Sequence, residues 1–228
     1  MQNAETKFEI KEKTSMLQEA ARLGISRWTH PILYAPLYPI ILVEGKYDCE
    51  FLEQAIRLLA PQKTIYVSYL ERLQGKEFDE KGGIDLLKQY IKMNSNAIKA
   101  RSPSSPVIVL LDWDSVKKVA DFKKGFDVSD PFRVSVWPES ALNPALEKSF
   151  RGIERCFSDR IINEANISTN LVATKQDGKK TIPKDADYDN FKKEAYKVVK
   201  KGLTSDDLIY VKDFLEQLLD SLEAHHEA

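Results

Sequence analysis

Residues 107–114, Val-Ile-Val-Leu-Leu-Asp-Trp-Asp, limit the fold of this chain more than any other stretch. An unbroken apolar, β-branched run reads as a strand covered on both faces, the situation of a parallel sheet between helix layers. Side chains alternate along a strand, so Asp112 and Asp114 are expected on one face and Trp113 on the other, in the core. Two carboxylates ~4 Å apart repel by on the order of 4 kcal/mol at an effective dielectric of about 20, so the pair needs a shared proton, a basic partner or a cation. A divalent ion is the simplest of the three.

A second apolar stretch ends in the same way. Tyr38-Pro39-Ile40-Ile41-Leu42-Val43 runs into Glu44-Gly45-Lys46-Tyr47-Asp48. Gly45 is expected to take a tight strand-to-helix turn that a Cβ would resist. Glu44 would then close the strand, and Asp48 would lie in the first helical turn, as a charge complementing the helix dipole or as a metal-site acid. The remaining periodicity predicts helix 47–60, strand 64–69, helix 83–95, strand 106–112 and strand 132–137, preceded by an amphipathic helix from Glu5 to Leu23. Helices alternating with apolar strands argue for an α/β fold with a mostly parallel sheet, whose ligands bind beyond the carboxyl ends of the strands. We expect an N-terminal helical addition over 1–37, a core over 38–165, and a basic segment with closing helices over 166–228 of the same domain.

Glu44-Gly45-x-x-Asp48 after one strand and Asp112-x-Asp114 after a later one resemble the Toprim domain of topoisomerases, primases and OLD-family nucleases. The resemblance covers roughly residues 38–165, and Tyr66–Tyr69 and Gly82–Leu87 suit its OLD-like branch. It implies a Toprim-like sheet flanked by helices, with Glu44, Asp112 and Asp114 as catalytic acids and Glu44, Asp48, Asp112 and Asp114 as ligands for one or two Mg²⁺ or Mn²⁺ ions. OLD-like proteins carry a further acid past the sheet, and Gly152-Ile153-Glu154-Arg155-Cys156-Phe157 is similar, with Arg-Cys-Phe where a tyrosine is usual. Glu154 is thus a candidate fifth ligand, the alternative being a surface glutamate paired with Arg151 or Arg155. They also place a catalytic lysine in a late helix. Phe191–Val199 looks like that helix, which makes Lys193 the first choice and Lys192 the next.

Charge patterning limits the partners. The 228 residues carry a formal net charge of −1, so any nucleic-acid footprint must be local. From Lys175 to Lys201 nine lysines face five acids, whereas Leu203 to Ala228 holds one lysine and seven acids. The basic segment faces either a phosphodiester backbone or the acidic tail. In the first case Lys179, Lys180, Lys184, Lys192 and Lys197 would contact nucleic acid. Cys49 and Cys156 lack metal-ligand spacing and read as reduced, packed thiols. No apolar leader and no run of ~18 apolar residues is present, so a cytoplasmic protein without membrane attachment is expected.

With no room for a strand-passage gate or a primase's template-binding parts, the resemblance implies a divalent-metal-dependent endonuclease, a hydrolase of RNA or DNA phosphodiesters. By analogy it would be a toxic effector in anti-phage defence. Gln74-Gly75-Lys76-Glu77 lacks the remaining residues of a P-loop, so a separate ATPase or sensor subunit is an expected partner. Thr204–Leu208 reads as a helix start, and Leu208, Val211, Leu215, Leu218 and Leu219 as an apolar face that covers the domain or supports a homo-oligomer. The rival reading is a catalytically silent Toprim binding or regulatory module.

Overall fold

The computed structural model describes residues 38–69, 84–125 and 131–222. The helix expected over Glu5–Leu23, the Gln74–Glu77 stretch and Gly82–Gly83 lie outside them. Four short strands, β1 (Ile40–Val43), β2 (Tyr66–Tyr69), β3 (Val107–Leu111) and β4 (Phe132–Val136), form one sheet. Every pairing is parallel and the order is β2-β1-β3-β4. The α/β class read from the alternation of apolar strands and helices is the one observed.

The apolar runs are apolar throughout because both faces are covered. Ile41, Val43, Ile108 and Leu110 point into one core. Ile40, Leu42, Val107, Val109 and Leu111 point into the other. A slip of one residue would exchange these sets, and burial of each aliphatic side chain stabilises by about 1.5–3 kcal/mol, so the register is strongly specified. The first core is covered by α1 (Lys46–Leu59), α5 (Asp159–Thr169), α6 (Tyr188–Lys201) and α7 (Lys212–Asp220), with α5 packed along α6. The second lies under α2 (Ile84–Met93) and α4 (Val116–Gly125), with the short α3 (Ser95–Lys99) following α2.

The C-terminal third belongs to the first core, which runs without interruption from Ile41 to Leu222. The apolar face expected from Leu208 to Leu219 is buried there. The capping box at Thr204 and Asp207 is present, but it opens a single 3-10 turn, Ser205–Leu208, rather than α7 itself. One feature was not anticipated. A small antiparallel hairpin, β5 (Ala173–Thr174) with β6 (Lys180–Thr181), crosses the basic segment, and β6 meets Leu146 through a parallel bridge. Both cysteines are free and buried. No described helix is long and apolar enough to cross a membrane.

Candidate functional site

β1 and β3 are neighbours, yet β1 is followed by a crossover to β2 on one side while β3 continues to β4 on the other. Chains leaving the carboxyl ends of two such strands diverge, and a crevice opens between them. Glu44 and Asp112 stand there. The backbone N–H of Asp112 donates to Glu44 Oε1 at 3.2 Å, and the Ser115 hydroxyl donates to the same oxygen at 3.1 Å. β3 ends at Leu111, one residue before the acids, and Asp112 is the N-cap of a 3-10 turn, Trp113–Ser115. Strand alternation therefore does not govern Asp112 and Asp114, which corrects the expectation that the two converge on one face. Asp112 turns into the crevice, and Asp114 is exposed. Trp113 is half-buried rather than a full core residue.

The other wall comes from the segment after β4. Gly152 has φ of +53° and begins the 3-10 turn Gly152–Cys156. A Cβ on Gly152 would lie 2.9 Å from Asp112 Oδ2 and 3.2 Å from Glu154 Oε2. The two carboxylates thus flank one glycine, whose missing side chain leaves room for both. Gly45 does a similar job for Asp48, whose Oδ2 would be 3.0 Å from a Cβ there. Its φ of −144° is ordinary extended backbone, so close approach and not a strained turn is the reason for glycine at 45.

Glu154 is fully buried, which overturns the reading of it as a surface residue. The Tyr188 hydroxyl, 2.9 Å from Glu154 Oε2, also lies within hydrogen-bonding distance of the Arg151 backbone. Lys192 Nζ forms an ion pair with Glu154 Oε1 at 2.9 Å. The structure thus reverses the order of the two candidate lysines: Lys192 faces the acids, whereas Lys193 is exposed on the far side of α6. Tyr188, Lys192 and Tyr196 recur every four residues and line one helix face. Tyr196 stacks on Tyr47 with centroids 4.0 Å apart, Lys192 Nζ lies 5.5 Å from the centre of the Tyr47 ring, and the Tyr196 hydroxyl is buried without a hydrogen-bond partner among the described residues.

Negative charge accumulates in this crevice. Burial, then the nearby Glu154 and Glu44 carboxylates, push the Asp48 carboxyl up to about 7 despite the opposing effect of Lys192. Burial and the fields of Asp48, Glu44, Glu154 and Asp114 push Asp112 well above the usual carboxylate range. Burial works against the Lys192 ammonium, but Glu154 outweighs it and holds the charge. The wall is also hostile to thiolate, since burial, Asp112 and Glu154 raise the Cys156 thiol strongly.

The surface lysines divide. Lys179 and Lys184 are exposed. Lys180 Nζ is held by Asp159 and Asn163 at 2.7 and 3.0 Å, and Lys197 pairs with Glu194 at 2.5 Å. Lys192 points into the acidic crevice rather than outward, so it does not join an outer clamp. Among the described residues the partners of Lys180, Lys192 and Lys197 are Asp159 with Asn163, Glu154 and Glu194, none of them in the acidic segment that begins at Leu203.

A hard divalent cation suits this donor set because the glycine cradle holds two carboxylates side by side. Among the described residues no three acidic, histidine or thiol groups are already gathered round one point. Glu44 is turned towards Ser115 and Glu154 towards Tyr188, so side chains would rotate to enclose an ion. Four contributors, Gly152, Ser115, Tyr188 and Tyr196, escaped the sequence reading. The two tyrosines could have been found from their spacing to Lys192, whereas Ser115 and Gly152 carry no comparable signal. No family model, no curated protein and no solved structure matches the chain.

Proposed function

We propose that this protein is a divalent-metal-dependent phosphodiesterase acting on nucleic acid, with the crevice between β1 and β3 as its active site. The observation that carries the reading is the excess of carboxylate there: buried Asp48 and Glu154 and half-buried Glu44 and Asp112 against the single ammonium of Lys192. Buried charge without compensation is costly, and an arrangement that gathers it at the carboxyl end of a parallel sheet suits a cation and a phosphate. Glu44, Asp112 and Glu154 would hold the ion with Asp48 beside them, and exposed Asp114 would join from the rim. Mg²⁺ or Mn²⁺ there would supply charge neutralisation at the phosphate and a more acidic bound water. Lys192 would place its ammonium against the negative charge that builds on the phosphoryl oxygens. RNA and DNA are both open to this chemistry. An effector role and a separate ATPase or sensor subunit are further parts of the proposal and rest on the Toprim-like motifs alone.

Cleavage of labelled RNA and DNA in Mg²⁺ and Mn²⁺ tests it. Glu44→Gln and Asp112→Asn should abolish turnover with the fold intact. Lys192→Met should lower turnover by about 10²-fold or more, and Lys193→Met should leave it near wild type. Wild-type cleavage by Asp112→Asn would refute the carboxylate mechanism. One observation favours the silent-module reading instead, namely that Lys192 already partly neutralises Glu154. On that reading neither ion would raise the melting temperature.

A further inference from the structure

The two 3-10 turns that carry the acids bring a second pair of side chains together. Trp113 follows Asp112 and Arg155 follows Glu154. The acids face the crevice, and next to them the Arg155 guanidinium stacks over the Trp113 ring, 5.0 Å from its centroid. Both side chains are half-buried. Trp113 Nε1 and Arg155 Nε and Nη1 are enclosed, and among the described residues none of the three has a hydrogen-bond acceptor. Among the described residues no carboxylate lies within ion-pair distance of Arg155, and Glu139 and Glu147 act on it only through space.

Every unfilled atom of this pair is a donor. Buried donors without acceptors are destabilising, and an arginine guanidinium gives parallel N–H bonds to one planar or tetrahedral oxyanion along either edge that includes Nη2, so each of the two partnerless nitrogens belongs to one such fork. A water molecule could accept from one or two of these groups but would leave the guanidinium charge uncompensated. An oxyanion does both. The arrangement is also directional: one step along each turn separates a carboxylate that would hold a cation from a donor that would hold an anion.

We propose that Trp113 and Arg155 form an oxyanion subsite that takes a non-bridging oxygen of a phosphate beside the carboxylate crevice. That the phosphate belongs to a nucleic-acid substrate rests on the phosphodiesterase reading, whereas capture of the anion does not. The subsite would fix the phosphate next to the one being cleaved, or the scissile phosphate itself, and so set the register of the substrate.

The test is a titration of the metal-free protein with inorganic phosphate and, separately, dimethyl phosphate at constant ionic strength. It is followed by the ¹⁵N–¹H resonances of the Trp113 indole and the Arg155 Nε–H. Both should shift in a saturable way. A response to dimethyl phosphate identifies an internal diester as the natural occupant, and a response to inorganic phosphate alone identifies a terminal phosphate. Arg155→Gln should weaken binding by at least about tenfold, and Arg155→Lys should not restore it, because the planar fork is lost. Trp113→Phe keeps the stacked ring and deletes one donor, so it should weaken binding by a smaller factor. Absence of a shift with both anions, an unchanged affinity in Arg155→Gln, or full recovery in Arg155→Lys would overturn the proposal. The titration needs neither metal nor turnover. A protein that binds phosphate through Arg155 but cleaves nothing would therefore defeat the nuclease reading alone.

Discussion

Replacing Gly152 with alanine separates what a glycine does for the backbone from what it does for the acidic site. The φ of +53° costs an L-residue about 1–2 kcal/mol. Gly178 shares the left-handed conformation, with φ of +82°, but nothing lies within 4 Å of a Cβ there. Gly178→Ala should therefore report the backbone cost alone, a fall in melting temperature of about 2–8 °C for a domain of this size. At Gly152 the same cost applies, and the new methyl group would also stand 2.9 Å from Asp112 Oδ2 and 3.2 Å from Glu154 Oε2. Ordinary contact begins near 3.4 Å, so the Asp112 oxygen must retreat by about half an ångström and Glu154 by less. Metal ligands hold their distances to within about 0.2 Å, so that displacement should weaken Mn²⁺ binding by at least about tenfold, or roughly 1.4 kcal/mol. Unfolding in metal-free buffer and calorimetric titration with Mn²⁺, run on wild type and both variants, give the two numbers. If Gly152→Ala binds Mn²⁺ as wild type does and loses no more stability than Gly178→Ala, the glycine is only a backbone device. The carboxylates would then not be packed against it. A wild type that binds no Mn²⁺ would refute the metal reading and leave the crowding argument to the unfolding data.

Two further outcomes follow from buried carboxyls shifted in opposite directions. Asp48 is raised by burial and by Glu154 to about 7, so between about pH 4 and pH 7 the folded protein binds more protons than the unfolded chain, and its metal-free stability should fall as pH rises through that window, by a few kcal/mol. Asp48→Asn should flatten the slope in chemical denaturation; an equally steep profile in that variant would place the titrating group elsewhere. Asp207 behaves in the opposite sense: burial raises it, but hydrogen bonds from Arg160, Ser158 and Thr204 overcome this and hold it at about 2. Its contribution should be present above about pH 4 and lost as pH falls towards 2. Asp207→Ala should cost about 2–3 kcal/mol in urea unfolding at pH 7, below the usual cost of breaking a fully desolvated pair because Arg160 is partly exposed. A loss under 1 kcal/mol would show that this junction between α5 and the Thr204 turn is not a stabilising one.

The architecture was legible in the sequence because it rests on local pattern. Runs such as Ile40–Val43 and Val107–Leu111 are apolar at every position, and only a sheet covered on both faces accepts that. Glu44 and Asp112 were found for the same reason, since each follows such a run directly. The geometry of the site was decided by tertiary contacts. One residue of difference in where β3 ends turned Asp112 inward and left Asp114 in solvent. The rotation of α6 about its axis, set by burial of Phe191, Ala195 and Val199, brought Lys192 rather than Lys193 to Glu154. Helix periodicity says which residues share a face, but only packing says what that face meets. The pairing of Asp112 with Glu154 across Gly152, and of Trp113 with Arg155 beside them, joins segments some forty residues apart. No local propensity encodes a contact of that range; it exists because the sheet and the helices over it leave those two turns one place to meet.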